Sequence, residues 1–383
     1  MNLERPHFVF VTCQVGAEGA VKKELARLEP GFRFAFSRPG FLTFKAPPEL
    51  RVPRDLELVF GRAYGYSLGK VRGAAPDELA AQVWALFGDR PARRVHAWSR
   101  DQRAAGDHGY EPGITAEAQA AAEAIVRHAP RPDTLAPHAA DPRRAAKPDE
   151  FVLDCVLVEP DEWWIGYHRA GPPVTRWPGG IMPLDLPAAA VSRAWLKMEE
   201  ALRWSELPIP VGARVVEIGS APGGSSQALL ARGFEVTGVD PAEMHPDVVA
   251  NPRFRHLRKR TSHVSRREFR KARWLTADMN VAPQYTLDAV ESIVTHAEVS
   301  IRGMLLTLKL FEWELAEQVP EYLERIRSWG YNQVRARQLV HNRQEICVAA
   351  LQVPFRRKGP AVRGRRAGAT NGGDPLPGDA DSD

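Results

Sequence analysis

Residues 213–240 read ARVVEIGSAPGGSSQALLARGFEVTGVD, and this stretch decides the fold. The run at 215–218 is of the kind a parallel sheet buries on both faces. Gly219 and the turn Pro222-Gly223-Gly224 then let the backbone pass close to a ligand without side-chain obstruction. A helix at 225–232 is expected next, with Ser225 and Ser226 as caps and its free N–H groups facing the turn. A second strand at 234–239 ends in Asp240, placed to accept hydrogen bonds from the two vicinal hydroxyls of a ribose. Together these elements predict an α/β fold that binds a nucleoside-bearing cofactor.

The glycine spacing narrows the choice of cofactor. A dinucleotide fold needs three spaced glycines that seat a pyrophosphate on the helix N-terminus. Here Gly219 is followed only at 223 and 224 by further glycines, with a proline inside the turn. That spacing departs from the dinucleotide pattern. It resembles the first motif of class I S-adenosylmethionine methyltransferases. The competing reading is an α/β crossover whose glycines only permit tight packing; the second strand and its terminal acid weigh against it.

At 383 residues the chain is long enough for two or three domains. Hydrophobic residues make up 44% and charged residues 26%, a globular balance. No apolar run approaches the ~18 residues of a membrane span. Glu4 and Arg5 ahead of a short apolar run lack the layout of a secretion signal, so a cytoplasmic protein is expected. Cys13, Cys155 and Cys347 are far apart and none has a metal-ligand spacing, so they read as reduced core residues. His245, His256 and His263 show no such spacing either, and no metal is expected.

The net charge of +5 leans towards a polyanionic partner, and its distribution says more. Residues 251–273 carry ten Lys or Arg and a single acid, Glu268. Lying just after Asp240, this segment is expected to flank the mouth of the cofactor site. Arg258, Lys259, Arg260, Arg266, Arg267, Arg270 and Lys271 would there contact RNA phosphates. The alternative is a solvated helix face.

Outward from this centre the chain divides by composition. A small ferredoxin-like α/β module is expected over 1–52: a strand at 7–13, a helix at 16–28 and a hairpin from 32–36 and 40–45. A second module over 53–172 has strands at 63–71 and 93–98, helices at 76–87 and 114–128, and a hairpin from 151–158 and 162–168. Residues 130–150 read as an exposed loop and the Pro/Gly-rich stretch 173–187 as a linker. The last domain, 188–355, has helices at 188–204, 285–299 and 314–329, with strands at 273–278, 303–310, 333–339 and 345–351. From 356 to 383 the composition predicts a disordered tail.

Four polar residues of the last domain bear on chemistry. Asp278 ends its strand and Lys309 interrupts an apolar one, both where open α/β sheets place their sites. Lys197 lies on the first helix and Glu345 opens the final strand. A lysine in a buried strand must be paired or functional, and an ordinary ion pair with Asp278 or Glu345 is the plainer option. The sharper option sets two lysines and two acids beside a sulfonium, which would lower the pKa of one lysine. That lysine could take the proton of a ribose 2′-hydroxyl. After Asp278 the chain reads Met-Asn-Val, with no Asn-Pro-Pro-aromatic segment of the kind amine methylation calls for.

Region 188–352 resembles the FtsJ-like ribose 2′-O-methyltransferases, and within them the branch that modifies large-subunit ribosomal RNA. The matching pieces are Ser192-Arg193, Leu196 to Ala201, Gly219 to Gly224, Val239-Asp240, Ala277-Asp278-Met279 and Leu308-Lys309-Leu310. Residues 336–341 with Arg343-Gln344-Glu345 complete the match. The resemblance implies a Rossmann-like class I domain and a tetrad of Lys197, Asp278, Lys309 and Glu345, with Lys309 as proton acceptor. It implies S-adenosyl-L-methionine held by Ser192, Gly219, Ala221, Pro222, Gly223, Gly224, Asp240 and Asp278. It further implies a monomer acting in the cytoplasm on a cytidine of 23S ribosomal RNA, with N-terminal RNA-binding modules that include a THUMP domain. Two positions depart from the family: Ser225 stands where a Trp is usual, and no acid lies near Arg260 where one contacts the adenine. An RNA-binding protein with an inactive methyltransferase domain and a 2′-O-methyltransferase of another RNA are the alternatives.

Overall fold

Two sheets of seven strands organise the chain. The computed structural model describes residues 8–47 and 56–353; the expected tail and the boundary at 52/53 lie outside them. The first sheet is built from β1 (Phe8–Thr12), β2 (Arg33–Arg38), β3 (Phe41–Lys45), β4 (Ala63–Arg72), β5 (Arg94–Ser99), β6 (Phe151–Glu159) and β7 (Glu162–Arg169). Helices α1 (Glu18–Leu28), α2 (Pro76–Phe87) and α3 (Ala116–Arg127) accompany it. Its order is β2-β3-β1-β4-β7-β6-β5, antiparallel except for the pair β5–β6. Because β1 pairs with β4, the strands of 1–52 and of 53–172 share one sheet.

Alternation along the strands sorts two cores. Leu153, Cys155 and Leu157 of β6 face α2 and α3, meeting Leu79, Val83, Phe87, Ala121 and Ile125. The other parity, Val156 and Val158 with Trp98 of β5, faces away from those helices. The presumed linker covers this second face and is no exposed tether. Val174, Pro178, Gly179, Gly180, Ile181 and Met182 are buried, and a Cβ at Gly179 would come within 2.7 Å of the Trp98 ring. Close backbone approach of this kind calls for Pro and Gly residues. The loop expected at 130–150 is also partly built in: Ala139 and Ala146 are buried, and the Ala146 N–H donates to the Arg176 carbonyl at 2.8 Å.

The second sheet comprises β8 (Arg214–Ile218), β9 (Glu235–Val239), β10 (Phe254–Leu257), β11 (Trp274–Asp278), β12 (Gly303–Lys309), β13 (Gln333–Arg337) and β14 (Glu345–Leu351). Its helices are α4 (Ala194–Ser205), α5 (Gly224–Ala231), α6 (Pro246–Val249), α7 (Pro283–Val294) and α8 (Val319–Ser328). The order is β10-β9-β8-β11-β12-β14-β13, parallel but for β14, which runs against both neighbours. Chain order reverses between β8 and β11, opening a crevice at their carboxyl ends. α4 starts at Ala194 and not at 188, leaving Ser192 and Arg193 in the turn before it. No helix among the described residues is long and apolar enough to cross a membrane.

The two sheets share a core. Val11, Leu25 and Tyr64 of the first belong to one buried cluster with Leu306, Ile346 and Val348 of the second. Polar contacts run beside it: Gln338 Nε2 donates to Gln14 Oε1 at 2.6 Å, and the Gln338 N–H to the Val59 carbonyl at 2.7 Å.

Candidate active site

Four residues from four elements meet at the carboxyl ends of β11 and β12. Lys309 closes β12, and strand register sets it directly opposite Glu345 of β14. Asp278 closes β11 next door, and Lys197 comes down from α4. Lys197 Nζ lies 2.6 Å from Asp278 Oδ2 and 2.9 Å from Glu345 Oε1. Lys309 Nζ lies 2.9 Å from Asp278 Oδ1 and bonds Glu345 Oε2. The result is a ring of alternating charge in which each ammonium bridges both carboxylates.

The electrostatics follow from this ring. Burial pushes the Lys197 ammonium down, but Asp278 and Glu345 outweigh it and hold the group well above the ordinary lysine range. Lys197 therefore stays charged. Burial would raise both acids, yet the lysines hold the carboxyls of Asp278 and Glu345 below their ordinary values. Removing any member leaves buried charge uncompensated.

A crevice of ≈ 160 Å³ adjoins the ring, lined by Gly219, Ala221, Pro222, Gly224, Asp278 and Lys309, with Ala194, Ser220, Ser225 and Asn280. Gly219 adopts φ +77°, and a Cβ there would lie 2.6 Å from the Asp278 carbonyl, so only glycine fits the turn. Ser192, Gly223 and Asp240 stand outside this lining. Asp240 follows β9, its carboxylate accepting the Ala221 N–H at 3.2 Å and the Ala242 N–H at 2.8 Å. The serines after the glycines are not caps. Gly223 occupies the N-cap of α5; Ser225 donates to the Ala194 carbonyl at 3.4 Å, and Ser226 donates to the buried Glu217 carboxylate.

Residues 190–321 match the family described as FtsJ-like methyltransferase. The chain is similar to ribosomal RNA large subunit methyltransferase M of Halorhodospira halophila, 34% identical over 188 residues, 48% of this chain and 53% of that protein. Its namesake in Laribacter hongkongensis is 31% identical over 202 residues, 50% of this chain and 54% of that one. The chain spans about half the length of the curated relatives it matches. Among solved structures, TrmN from Thermus thermophilus is 15% identical, covering 90% of this chain and 99% of that one at a TM-score of 0.34, a likeness too slight to bear on function.

S-adenosylmethionine is the methyl donor that goes with an FtsJ-like domain, and the crevice fits it. Glycine at 219 lets the turn pack against the Asp278 backbone at the edge of the crevice. Ser192 Oγ is buried without a hydrogen-bond partner next to Gly224, leaving a donor for a ligand. The Asp240 carboxylate keeps lone pairs beyond the two N–H groups it accepts.

Several residues that position the ring were given no role in the sequence reading. Asn342 donates to Glu345 Oε1 at 3.2 Å while its own Oδ1 accepts the Leu339 N–H at 2.9 Å. Glu200 of α4 accepts the N–H groups of Val340 and His341 at 2.8 and 2.9 Å. From the connection between β5 and α3, Glu111 reaches across to Arg193 Nε at 2.6 Å and His341 Nδ1 at 3.0 Å. Burial alone would push the Glu111 carboxyl up; His341 and Arg193 outweigh it and bring it to about 2. The loop before Glu345 and the turn holding Ser192 are thus braced from outside their own domain. Glu217, in the middle of β8, is the other omission: burial raises its carboxyl to about 8, with Ser226 opposing and Asp278 and Asp240 adding to the shift.

The basic segment does not act as one surface. Arg258, Lys259 and Arg260 follow β10 at the carboxyl edge, where the Asp240 N–H donates to the Leu257 carbonyl and Arg258 Nε to the Pro241 carbonyl, both at 3.3 Å. The chain then runs back to the amino end of β11. Arg266 bonds Ser292 near the end of α7, and Arg270 pairs with Glu298 beyond that helix. Arg266, Arg267, Arg270 and Lys271 therefore lie away from the mouth. A parallel strand forces the connection to return to the far end of the sheet, which charge density alone does not reveal.

Proposed function

We propose that the chain is an S-adenosylmethionine-dependent ribose 2′-O-methyltransferase acting in the cytoplasm on RNA, namely a cytidine of large-subunit (23S) ribosomal RNA. The observation that carries this reading is the ring of Lys197, Asp278, Lys309 and Glu345 at the edge of the crevice. The donor supplies a methyl carbon activated by its sulfonium. Ser192, the Gly219–Gly224 turn and Asp240 would hold it. Lys309 lines the crevice itself, whereas Lys197 is set behind the carboxylates it bridges.

A hydroxyl is a poor nucleophile and needs a base. Lys309, having first released a proton to solvent, takes the proton of the target 2′-hydroxyl as that oxygen gains the methyl group. Lys197 remains an ammonium and keeps Asp278 and Glu345 ionised, so their oxygens orient Lys309 throughout. Arg258, Lys259 and Arg260 at the carboxyl edge suit the phosphates flanking the target.

Titration calorimetry with S-adenosylmethionine and mapping of 2′-O-methyl groups in ribosomal RNA from a deletion strain test the proposal. Cofactor binding with loss of a single cytidine methylation supports it. Binding with a loss in another RNA shifts the substrate, and absence of binding overturns the enzymatic reading.

A further inference from the structure

The face of β5, β6 and β7 turned away from α2 and α3 holds three polar side chains that methyl transfer does not use. His96 and Asp154 are register partners on the parallel strands β5 and β6, and His168 stands on β7. One ligand atom from each lies within 4.8 Å of the other two. His96 and Asp154 are only 2% and 0% exposed, and the segment 173–182 closes over the group. Sequence spacing hid the cluster, because the three residues are brought together only by strand pairing.

The hydrogen bonding around His168 is specific. Its Nε2 lies 2.7 Å from the Thr175 carbonyl oxygen, and its Nδ1 lies 2.7 Å from Asp154 Oδ2. A carbonyl only accepts, so Nε2 carries a hydrogen, and Nδ1 and Asp154 hold one proton, or another cation, between them. Next to them, both ring nitrogens of His96 and Asp154 Oδ1 are buried without a partner. Beside the group is a cavity of ≈ 10 Å³, bordered by Asp154, His168, Thr175 and Trp98, whose Nε1 also lacks a partner, but not by His96; it has room for one water-sized atom.

We propose that His96, Asp154 and His168 bind one divalent transition-metal ion, zinc by preference, which pins the segment 173–182 onto the first sheet. Two imidazoles and a carboxylate form a donor set that zinc accepts, with water as the fourth ligand. A backbone carbonyl orienting the far N–H of a ligating histidine, as Thr175 does for His168, is the usual outer support of such a site. Bonds of about 2.1 Å set tetrahedral ligand atoms about 3.4 Å apart, so atoms as far as 4.8 Å from one another draw in, while His168 Nδ1 and Asp154 Oδ2, at 2.7 Å, move slightly apart. Binding displaces the proton between His168 and Asp154 to solvent, so uptake releases acid. A lone water bridging Asp154 and Trp98 is the competing occupant, but it leaves His96 unanswered.

The test uses the full chain without a histidine tag and does not depend on methyltransferase activity. After expression with added zinc and dialysis, mass spectrometry of the metal content should find about one zinc per chain in the wild type, and about a tenth of that in His96→Ala and Asp154→Asn. Because a variant that fails to fold would also lose metal, chelator-stripped wild type is titrated with zinc chloride while its unfolding midpoint is followed. A rise in midpoint with acid release supports the site. Wild-type protein without retained zinc and without a shift, or His96→Ala retaining as much metal as wild type, overturns it.

Discussion

The ring of Lys197, Asp278, Lys309 and Glu345 and the cluster of His96, Asp154 and His168 occupy sheets of equal width but differ in construction. The first lies at strand ends, where chain reversal opens a crevice, and each of its ammonium groups has both carboxylates in reach. The second lies within strands under a lid of chain, and it leaves the His96 nitrogens and Asp154 Oδ1 without partners. Self-contained pairing beside open space suits a site whose charges stay in place while a ligand comes and goes. Unmet valence in a sealed space suits a permanent occupant. The position of a polar cluster along its strands thus separates chemistry from structure more sharply than its residue types do.

The largest expected effect breaks the first half of this contrast. Lys309→Ala should lose methyl transfer by roughly 100- to 10,000-fold in single-turnover assays while still binding cofactor, because the base is gone. Retained turnover would reduce the ring to an ion-pair network. Lys197→Met should instead act on the fold: two buried carboxylates lose their shared cation, and urea denaturation should record a loss of about 3–5 kcal/mol. An unchanged urea midpoint would show that solvent or Lys309 compensates.

Glu217 sharpens the comparison with pH. Its carboxyl titrates at about 8 in the folded chain, against about 4.3 when unfolded. Between these values the folded state holds a proton that the unfolded state has lost, so stability falls as pH rises through this window. Below about pH 4 the group contributes no penalty. Glu217→Gln removes the penalty, so its advantage over wild type should grow from pH 5 to pH 8.5 by the order of a few kcal/mol in thermal unfolding. A pH-independent difference would mean that Glu217 is ionised in the fold. The smallest effect concerns access to the open site. Replacing Arg258, Lys259 and Arg260 by Ala should weaken RNA binding about tenfold and flatten its salt dependence. The same change at Arg270 and Lys271 should do neither, since these lie towards the other end of the sheet. Equal losses would restore the basic segment as one surface.

How far the sequence could be read depended on whether a signal was local. The glycine turn, the acid after β9 and the apolar strands are written in consecutive residues, and their elements lie within a few positions of where they were expected. β14 spans Glu345–Leu351 and α2 spans Pro76–Phe87, the expected bounds in both. Errors arose where one composition serves two purposes. The stretch 130–150 reads as an exposed loop, yet Ala139 and Ala146 are buried, and Ser225 and Ser226 look like caps, yet they bond Ala194 and Glu217. The brace from Glu111 to Arg193 and His341 joins residues 82 and 230 positions apart, and no local pattern could reveal it.

Periodicity and turn chemistry in the chain were enough to determine an α/β fold with a nucleoside-binding loop, because backbone conformation responds first to neighbouring residues. Strand order and packing decided the rest. They set Lys309 against Glu345, carried half of the basic segment to the far end of the sheet, and gathered His96, Asp154 and His168 under a lid of chain. Such contacts depend on the closure of long loops, whose outcome is a property of the whole packed core and of no single stretch of residues.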